Sequence, residues 1–215
     1  MDLRGGSAPG TSDGATTGVD ARASRRDLVR RGAVGGAALL VGGTFLGRKL
    51  EAADAAPSKT QDEKIFNFAL LLEYLQAAFY TDGVSHARLR GEVRSFAETV
   101  SEHEREHVAF LENALGAKAR PKPAFDFGDA TKSEKKFVAT AVLLENLGVA
   151  AYNGQAANLT KPALAKAAEI VSVEGRHAAW ISDLAGRPPA PRAADPGASA
   201  AEVVAAVNRT GFIKR

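Results

Sequence analysis

Ser101-Glu102-His103-Glu104-Arg105-Glu106-His107, running into Val108-Ala109-Phe110-Leu111, is the stretch that decides the fold. Glu104 and His107 stand one helical turn apart and share a face. The spacing returns at Glu174-Gly175-Arg176-His177, again ahead of an apolar run, Ala178-Ala179-Trp180-Ile181. Upstream of each pair a lone glutamate interrupts apolar sequence: Glu73 in Leu70-Leu71-Leu72-Glu73-Tyr74-Leu75, and Glu145 in Val142-Leu143-Leu144-Glu145-Asn146-Leu147. Four carboxylates and two imidazoles, half from each half of the chain, form the ligand set that a di-metal carboxylate centre takes from a four-helix bundle.

The spacing between the motifs supports the same architecture. Glu73 and Glu104 have their midpoint between Arg88 and Leu89, and Glu145 and Glu174 theirs at Leu159-Thr160, beside Pro162. Both midpoints suit a helix–helix turn. At about 1.5 Å per residue each hairpin then carries its carboxylates roughly 22–23 Å from its turn. Two such hairpins packed together bring all six side chains to one level. The halves also read as an internal repeat. Leu71-Leu72-Glu73 and Tyr80 match Leu143-Leu144-Glu145 and Tyr152 at an offset of 72. Glu104, His107, Phe110 and Leu111 match Glu174, His177, Trp180 and Ile181 at an offset of 70.

An Ala-rich, low-aromatic composition with few β-branched runs favours helices. The chain contains no cysteine, which excludes disulfides, thiolate zinc or iron–sulfur sites and a cysteine nucleophile. Of the net charge of +3, residues 1–55 carry +2, with eight Lys/Arg against six Asp/Glu. The remainder has no basic stripe interleaved with aromatics, which argues against a nucleic-acid partner.

Residues 1–55 read as a leader. Residues 1–23 are rich in Gly, Ser, Thr and Ala and lack periodicity. The paired Arg25-Arg26 precede an uncharged, glycine-bearing segment, Gly32 to Gly47, which resembles a twin-arginine export signal. Its apolar core is shorter than the ~20 residues of a comfortable membrane span, and Ala53-Asp54-Ala55 offers a small-x-small cleavage site. Residues 56–186 are expected to form the four-helix bundle. Helix one runs from about Ser58 to Asp82, ended or kinked by Gly83-Val84-Ser85; helix two from Gly91 to Leu115, closed by Gly116. Residues 117–130 are irregular, and about 14 extended residues reach roughly 45 Å. That suffices for the long crossover of a ferritin-like bundle instead of a simple up-and-down one. A capping box, Thr131 with Glu134, opens helix three, and Lys161-Pro162 opens helix four. Residues 187–215 are a Pro/Ala-rich linker and a short helical tail, with a second capping box at Ser199 and Glu202.

A charged glutamate on an apolar helix face is costly to bury alone. Four at one level, two with histidine partners, call for a shared cation or a network of ion pairs. Carboxylate and imidazole donors without thiolate suit iron, manganese or zinc. The bundle logic casts Glu104 and Glu174 as bridges, Glu73 and Glu145 as terminal carboxylates, and His107 and His177 as one ligand per metal. Tyr80 and Tyr152 lie two turns beyond Glu73 and Glu145 on the same face, either as core tyrosines or as hydrogen-bond partners of the ligands. Gly148 and Gly154 suit close helix packing. His103-Glu104-x-x-His107 also satisfies the zinc-protease pattern, with His103 and His107 as ligands and Glu104 as base. That reading leaves Glu73, Glu145, Glu174 and His177 unexplained; outside it, His103 reads either as a helix-surface residue or as one that supports the ligands from behind.

Five segments carry a family resemblance: Leu72 to Tyr80, Glu104 to Leu111, Pro123 to Phe127, Gly148 to Gly154 and Ile170 to His177. With them the chain resembles the exported ferritin-like domain proteins, a group that includes bacterial and plant desiccation-related proteins. The resemblance spans about residues 60–186, with the Phe212-Ile213 ending also similar. It implies an all-α, ferritin-like bundle of two antiparallel hairpins, and all six ligand positions are kept. The wider superfamily includes ferroxidases, manganese catalases and di-iron oxidases. The expected function is therefore an exported protein with two iron or manganese ions, zinc being a further candidate, that handles iron, peroxide or dioxygen in stress protection. A non-catalytic metal-binding or desiccation scaffold is the alternative, and a zinc hydrolase a lesser one. The twin-arginine translocase is the expected export partner. Periplasm, cell envelope or exterior is the destination, with no permanent membrane span after cleavage. A homo-oligomer is compatible with the sequence, which carries no motif for one.

Overall fold

The computed structural model describes residues 56–214. The twin-arginine leader expected over residues 1–55, Arg25 and Arg26 included, lies outside the described residues. Five α-helices follow in order: α1 (Lys59–His86), α2 (Gly91–Leu115), α3 (Glu134–Gln155), α4 (Lys161–Leu184) and α5 (Ala200–Thr210). Among the described residues the β-structure consists of one isolated antiparallel bridge, Phe125 to Ile213. No helix among them is long and apolar enough to cross a membrane.

Most boundaries follow local chemistry. The Ser58 hydroxyl accepts from the Gln61 N–H at 3.2 Å and caps α1. α2 stops at Gly116, whose φ of +54° costs a glycine little. Pro162 sits in the first turn of α4, and α5 opens with the expected Ser199–Glu202 capping box. Two expectations need correcting. α1 does not end at Gly83 but continues to His86, because Gly83 is a packing glycine: a Cβ there would fall 2.3 Å from the Phe137 ring. Nor does Thr131 with Glu134 form a capping box. Ser133 is the N-cap of α3. The Thr131 hydroxyl instead bonds the Asp82 carboxylate, and Glu134 accepts from the Arg90 N–H at 2.8 Å.

Those two bonds place the start of α3 beside the α1–α2 turn. At the other end, the Thr160 N–H and hydroxyl both donate to Asp62, at 2.9 and 2.6 Å, so the α3–α4 turn lies beside the start of α1. α2 and α3 therefore run in the same direction, and residues 116–133 travel the length of the bundle between them. The crossover is tied down along its path. Asn67 holds it by accepting from the Arg120 N–H at 2.8 Å and donating to the Lys118 carbonyl at 3.1 Å. Phe127 packs edge-on against Phe79. The tail straps it from outside, through Asp126 N–H to the Phe212 carbonyl and Lys214 N–H to the Ala124 carbonyl.

The hydrophobic interior is split in two. One cluster gathers Phe79, Tyr80, Phe96, Val100, Phe137, Leu144 and Ile181 towards the α1–α2 turn. The other gathers Ile65, Leu70, Leu111, Leu159 and Ile170 towards the α3–α4 turn. Glu73, Glu104, Glu145 and Glu174 form the polar layer between them.

Candidate metal centre

Each helix of the bundle contributes to this layer: Glu73 from α1, Glu104 and His107 from α2, Glu145 from α3, Glu174 and His177 from α4. The four glutamates are at most 1 % exposed, and His107 and His177 are 8 % and 3 % exposed. The structure thus brings all six expected residues together. They form two overlapping groups, Glu73–Glu104–His107–Glu174 and Glu104–Glu145–Glu174–His177, each offering ligand atoms within 4.8 Å of one another.

The orientation of the side chains is as informative as their proximity. His107 turns Nδ1 to Glu73 Oε2 (3.4 Å), Glu104 Oε2 (3.5 Å) and Glu174 Oε1 (3.2 Å). His177 turns Nδ1 to Glu104 Oε1 (3.3 Å), Glu145 Oε2 (3.3 Å) and Glu174 Oε1 (3.7 Å). Glu104 faces the two rings with its two oxygens and Glu174 faces both with one oxygen. Glu73 faces only His107, and Glu145 only His177.

These contacts lack hydrogen-bond geometry. Eight buried side-chain polar atoms among the described residues have no hydrogen-bond partner, and seven of them are these inward-facing nitrogens and oxygens. Such orphans are costly in a protein interior. Donor atoms about 2.1 Å from a common ion and at right angles lie about 3 Å apart. The spacing, the orphaned donors and the N/O donor chemistry all fit transition-metal ions.

The outward-facing oxygens are satisfied by protein. The Tyr152 hydroxyl donates to Glu73 Oε1 and the Tyr80 hydroxyl to Glu145 Oε1, both at 2.6 Å. Each tyrosine thus reaches across to the glutamate of the other hairpin. Gln76 Nε2 donates to Glu145 Oε1 at 3.1 Å and reaches Glu174 Oε2 at 3.5 Å. Gly148 leaves room for Glu174, since a Cβ there would lie 2.6 Å from Glu174 Oε2. Gly154 has a different task. It lets the linker approach α3, with the Ala198 carbonyl where its Cβ would be.

Burial and charge set the protonation of the layer. Desolvation opposes charge on His107 and His177, but the carboxylates facing each ring outweigh it and hold both pKa values up, that of His177 at about 11. Burial, with Glu174 and Glu73 alongside, pushes the Glu104 carboxyl well above the usual carboxylate range. Glu145 is raised by burial too. For Glu174 the two imidazoles overcome burial and hold it down at about 2. Burial and the adjoining carboxylates keep Tyr80 and Tyr152 protonated. The layer therefore gathers cations, as protons on imidazole and carboxyl, wherever it can.

Residues 61–187, more than half of the chain, match the family model for the ferritin-like domain. The chain belongs to the ferritin-like domain family. No curated protein matches it. Within this ferritin-like domain, the departures from expectation lie behind the ligands. His103 is not a free surface residue: it is half-buried, and its Nδ1 lies 2.9 Å from His177 Nε2. It belongs to neither ligand group, so His103 and His107 do not form the pair that the zinc-protease pattern requires. Gln76 escaped the sequence reading, although its position three residues after Glu73, on the ligand face, was a usable signal. Trp180 packs edge-on against Phe96 and bonds Glu92 at 3.2 Å, away from the ligands.

Proposed function

We propose that this ferritin-like domain binds two transition-metal ions, iron or manganese, and carries out redox chemistry on ferrous iron, peroxide or dioxygen. Glu73 and His107 would serve one ion and Glu145 and His177 the other, with Glu104 and Glu174 bridging. The observation that carries this reading is the convergence of seven unpartnered buried donor atoms from four helices on one layer. Bound metals of this kind supply one-electron steps and open positions for small oxygen species. The chain's own residues would orient the ligands. Tyr80, Tyr152 and Gln76 hold the outer oxygens, so that the inner ones stay directed at the ions. The two apolar cores keep bulk water away from the layer. Burial of every carboxylate favours reactants the size of a metal ion, peroxide or dioxygen.

Export through the twin-arginine translocase, a periplasmic, envelope or extracellular site of action and a role in stress protection belong to the same proposal. They are supported by Arg25-Arg26 and the uncharged segment that follows. Folding around the metals before export would suit such a route.

Elemental analysis of protein purified from an exporting host, beside Glu104→Ala and Glu174→Ala, tests the proposal. About two iron or manganese per chain, lost in both variants, together with peroxide consumption or ferrous oxidation at catalytic rates, is the expected result. Bound metal without turnover would leave a metal-binding scaffold. A stably folded protein that takes up no metal would refute the centre itself.

A further inference from the structure

Behind the six ligands the two halves of the centre are not alike. The offset of 70 that carries Glu104 and His107 onto Glu174 and His177 carries His103 onto Val173. The offset of 72 that carries Glu73 and Tyr80 onto Glu145 and Tyr152 carries Gln76 onto Gly148. Both extra polar groups serve the same half. Gln76 adds a second donor to Glu145, beside Tyr80, whereas Glu73 receives Tyr152 alone among the described residues. His103 meets His177, whereas the polar contacts of His107 among the described residues are all made by Nδ1.

The contact between His103 and His177 has a definite geometry. The ring centroids are 5.2 Å apart and the planes differ by 17°. With Nδ1 and Nε2 only 2.9 Å apart, that centroid separation is the contact plus the two ring radii. The rings therefore meet edge to edge in nearly one plane, as an in-line hydrogen bond requires, and do not overlap face to face. His177 Nδ1 faces the carboxylates. To offer its lone pair to a metal there, His177 must carry its proton on Nε2 and donate it to His103 Nδ1. A neutral His103 accepts that bond.

We infer that His103 is a positioning residue for the His177–Glu145 half of the centre, so that this half takes up metal first and more tightly than the His107–Glu73 half. The inference rests on the di-metal reading above. A hydrogen-bond acceptor on the far nitrogen fixes the tautomer and rotation of a ligating imidazole and raises its basicity, and losing it costs about 10–100-fold in metal affinity. Val173, which the repeat sets opposite His103 in sequence, has only a hydrocarbon side chain.

The test is a titration of the metal-stripped full chain with zinc, which is redox-silent, followed by calorimetry and by the side-chain ¹⁵N resonances of the histidines. The expected result is two steps, with the His177 ring responding to the first and the His107 ring to the second. His103→Phe should weaken the first step by about 10–100-fold and leave the second nearly unchanged. His103→Asn, whose side-chain oxygen can stand where Nδ1 stands, should recover most of that loss. If both rings respond together in the wild-type chain, or if His103→Phe leaves the first step intact, the inference is overturned while the di-metal reading survives. If the wild-type chain takes up no zinc, both fall.

Discussion

Hairpin α1–α2 supplies Glu73, Glu104 and His107, and hairpin α3–α4 supplies Glu145, Glu174 and His177. Each also sends one tyrosine across to the other's terminal glutamate. Inside the layer the hairpins are near copies. Outside it they diverge: the repeat matches Gln76 with Gly148 and His103 with Val173. The inner donors must converge on shared points, which leaves little freedom in residue type or register. The outer positions need only fill space or satisfy one oxygen or nitrogen, and packing differs between the halves. A two-fold ligand set can therefore sit in an asymmetric surround.

The sharpest break of this comparison is at Gly148. Gly148→Ala places a methyl group on Glu174 Oε2 and should lower metal affinity by at least about tenfold, within the range for disturbed outer contacts. The fold should persist, because the displaced group is the end of a flexible side chain. Zinc calorimetry beside circular dichroism checks both halves of that expectation.

A second effect concerns the whole layer. His107 and His177 have pKa values raised above the usual 6.5, and Glu104 and Glu145 above 4.5. The folded, metal-stripped chain therefore holds more protons than the unfolded chain, and stability must fall as pH rises. The carboxyl contribution begins to fade above about pH 4.5 and the His177 contribution between about pH 6.5 and 11. Glu174, lowered to about 2, acts in the opposite sense but only below about pH 4.5. The stripped protein should thus lose a few kcal/mol between pH 6 and pH 10, about 5–10 °C in Tm for a domain of this size. Metal-loaded protein should instead bind its ions more firmly with rising pH, because proton competition is relieved. Thermal unfolding of both forms across that range would show the two slopes.

Tyr80→Phe and Tyr152→Phe sharpen the comparison between the halves. Each removes one hydroxyl donor from a buried carboxylate, an effect of about 1–3 kcal/mol when nothing replaces it. Gln76 still serves Glu145, but among the described residues Tyr152 is the one hydroxyl or amide side chain that donates to Glu73. Tyr152→Phe should therefore be the more destabilising variant, and denaturant unfolding of the pair would expose equal losses if the surround were symmetric after all. The smallest effect is expected at Gly175. A Cβ there meets nothing within 4 Å, so Gly175→Ala should stabilise α4 by about 0.5–1 kcal/mol. A loss of stability at that position would show that the helix needs its glycine.

Much of this was legible because helices impose arithmetic. A Glu-x-x-His spacing puts both donors on one face whatever surrounds it. Equal distances from two turns put four carboxylates at one level. α2 and α4 begin where Gly91 and Lys161-Pro162 suggest. The misreadings have one cause. Thr131, Glu134 and Gly83 carry local signals for a cap and a stop, but tertiary partners claim them: Asp82 and the Arg90 N–H for the first two, the Phe137 ring for the third. The choice between the two readings of His103, surface residue or support behind the ligands, is settled the same way, since its partner lies 74 residues away.

The sequence by itself determined the helices, the pairing of the hairpins and the six candidate ligands, because periodicity and spacing act along the chain. Only the tertiary structure decided how each donor is turned, which oxygens are held from behind and which half His103 supports. Those features depend on contacts between helices distant in sequence, where side-chain length, rotamer and ångström-scale packing govern and no period records the outcome.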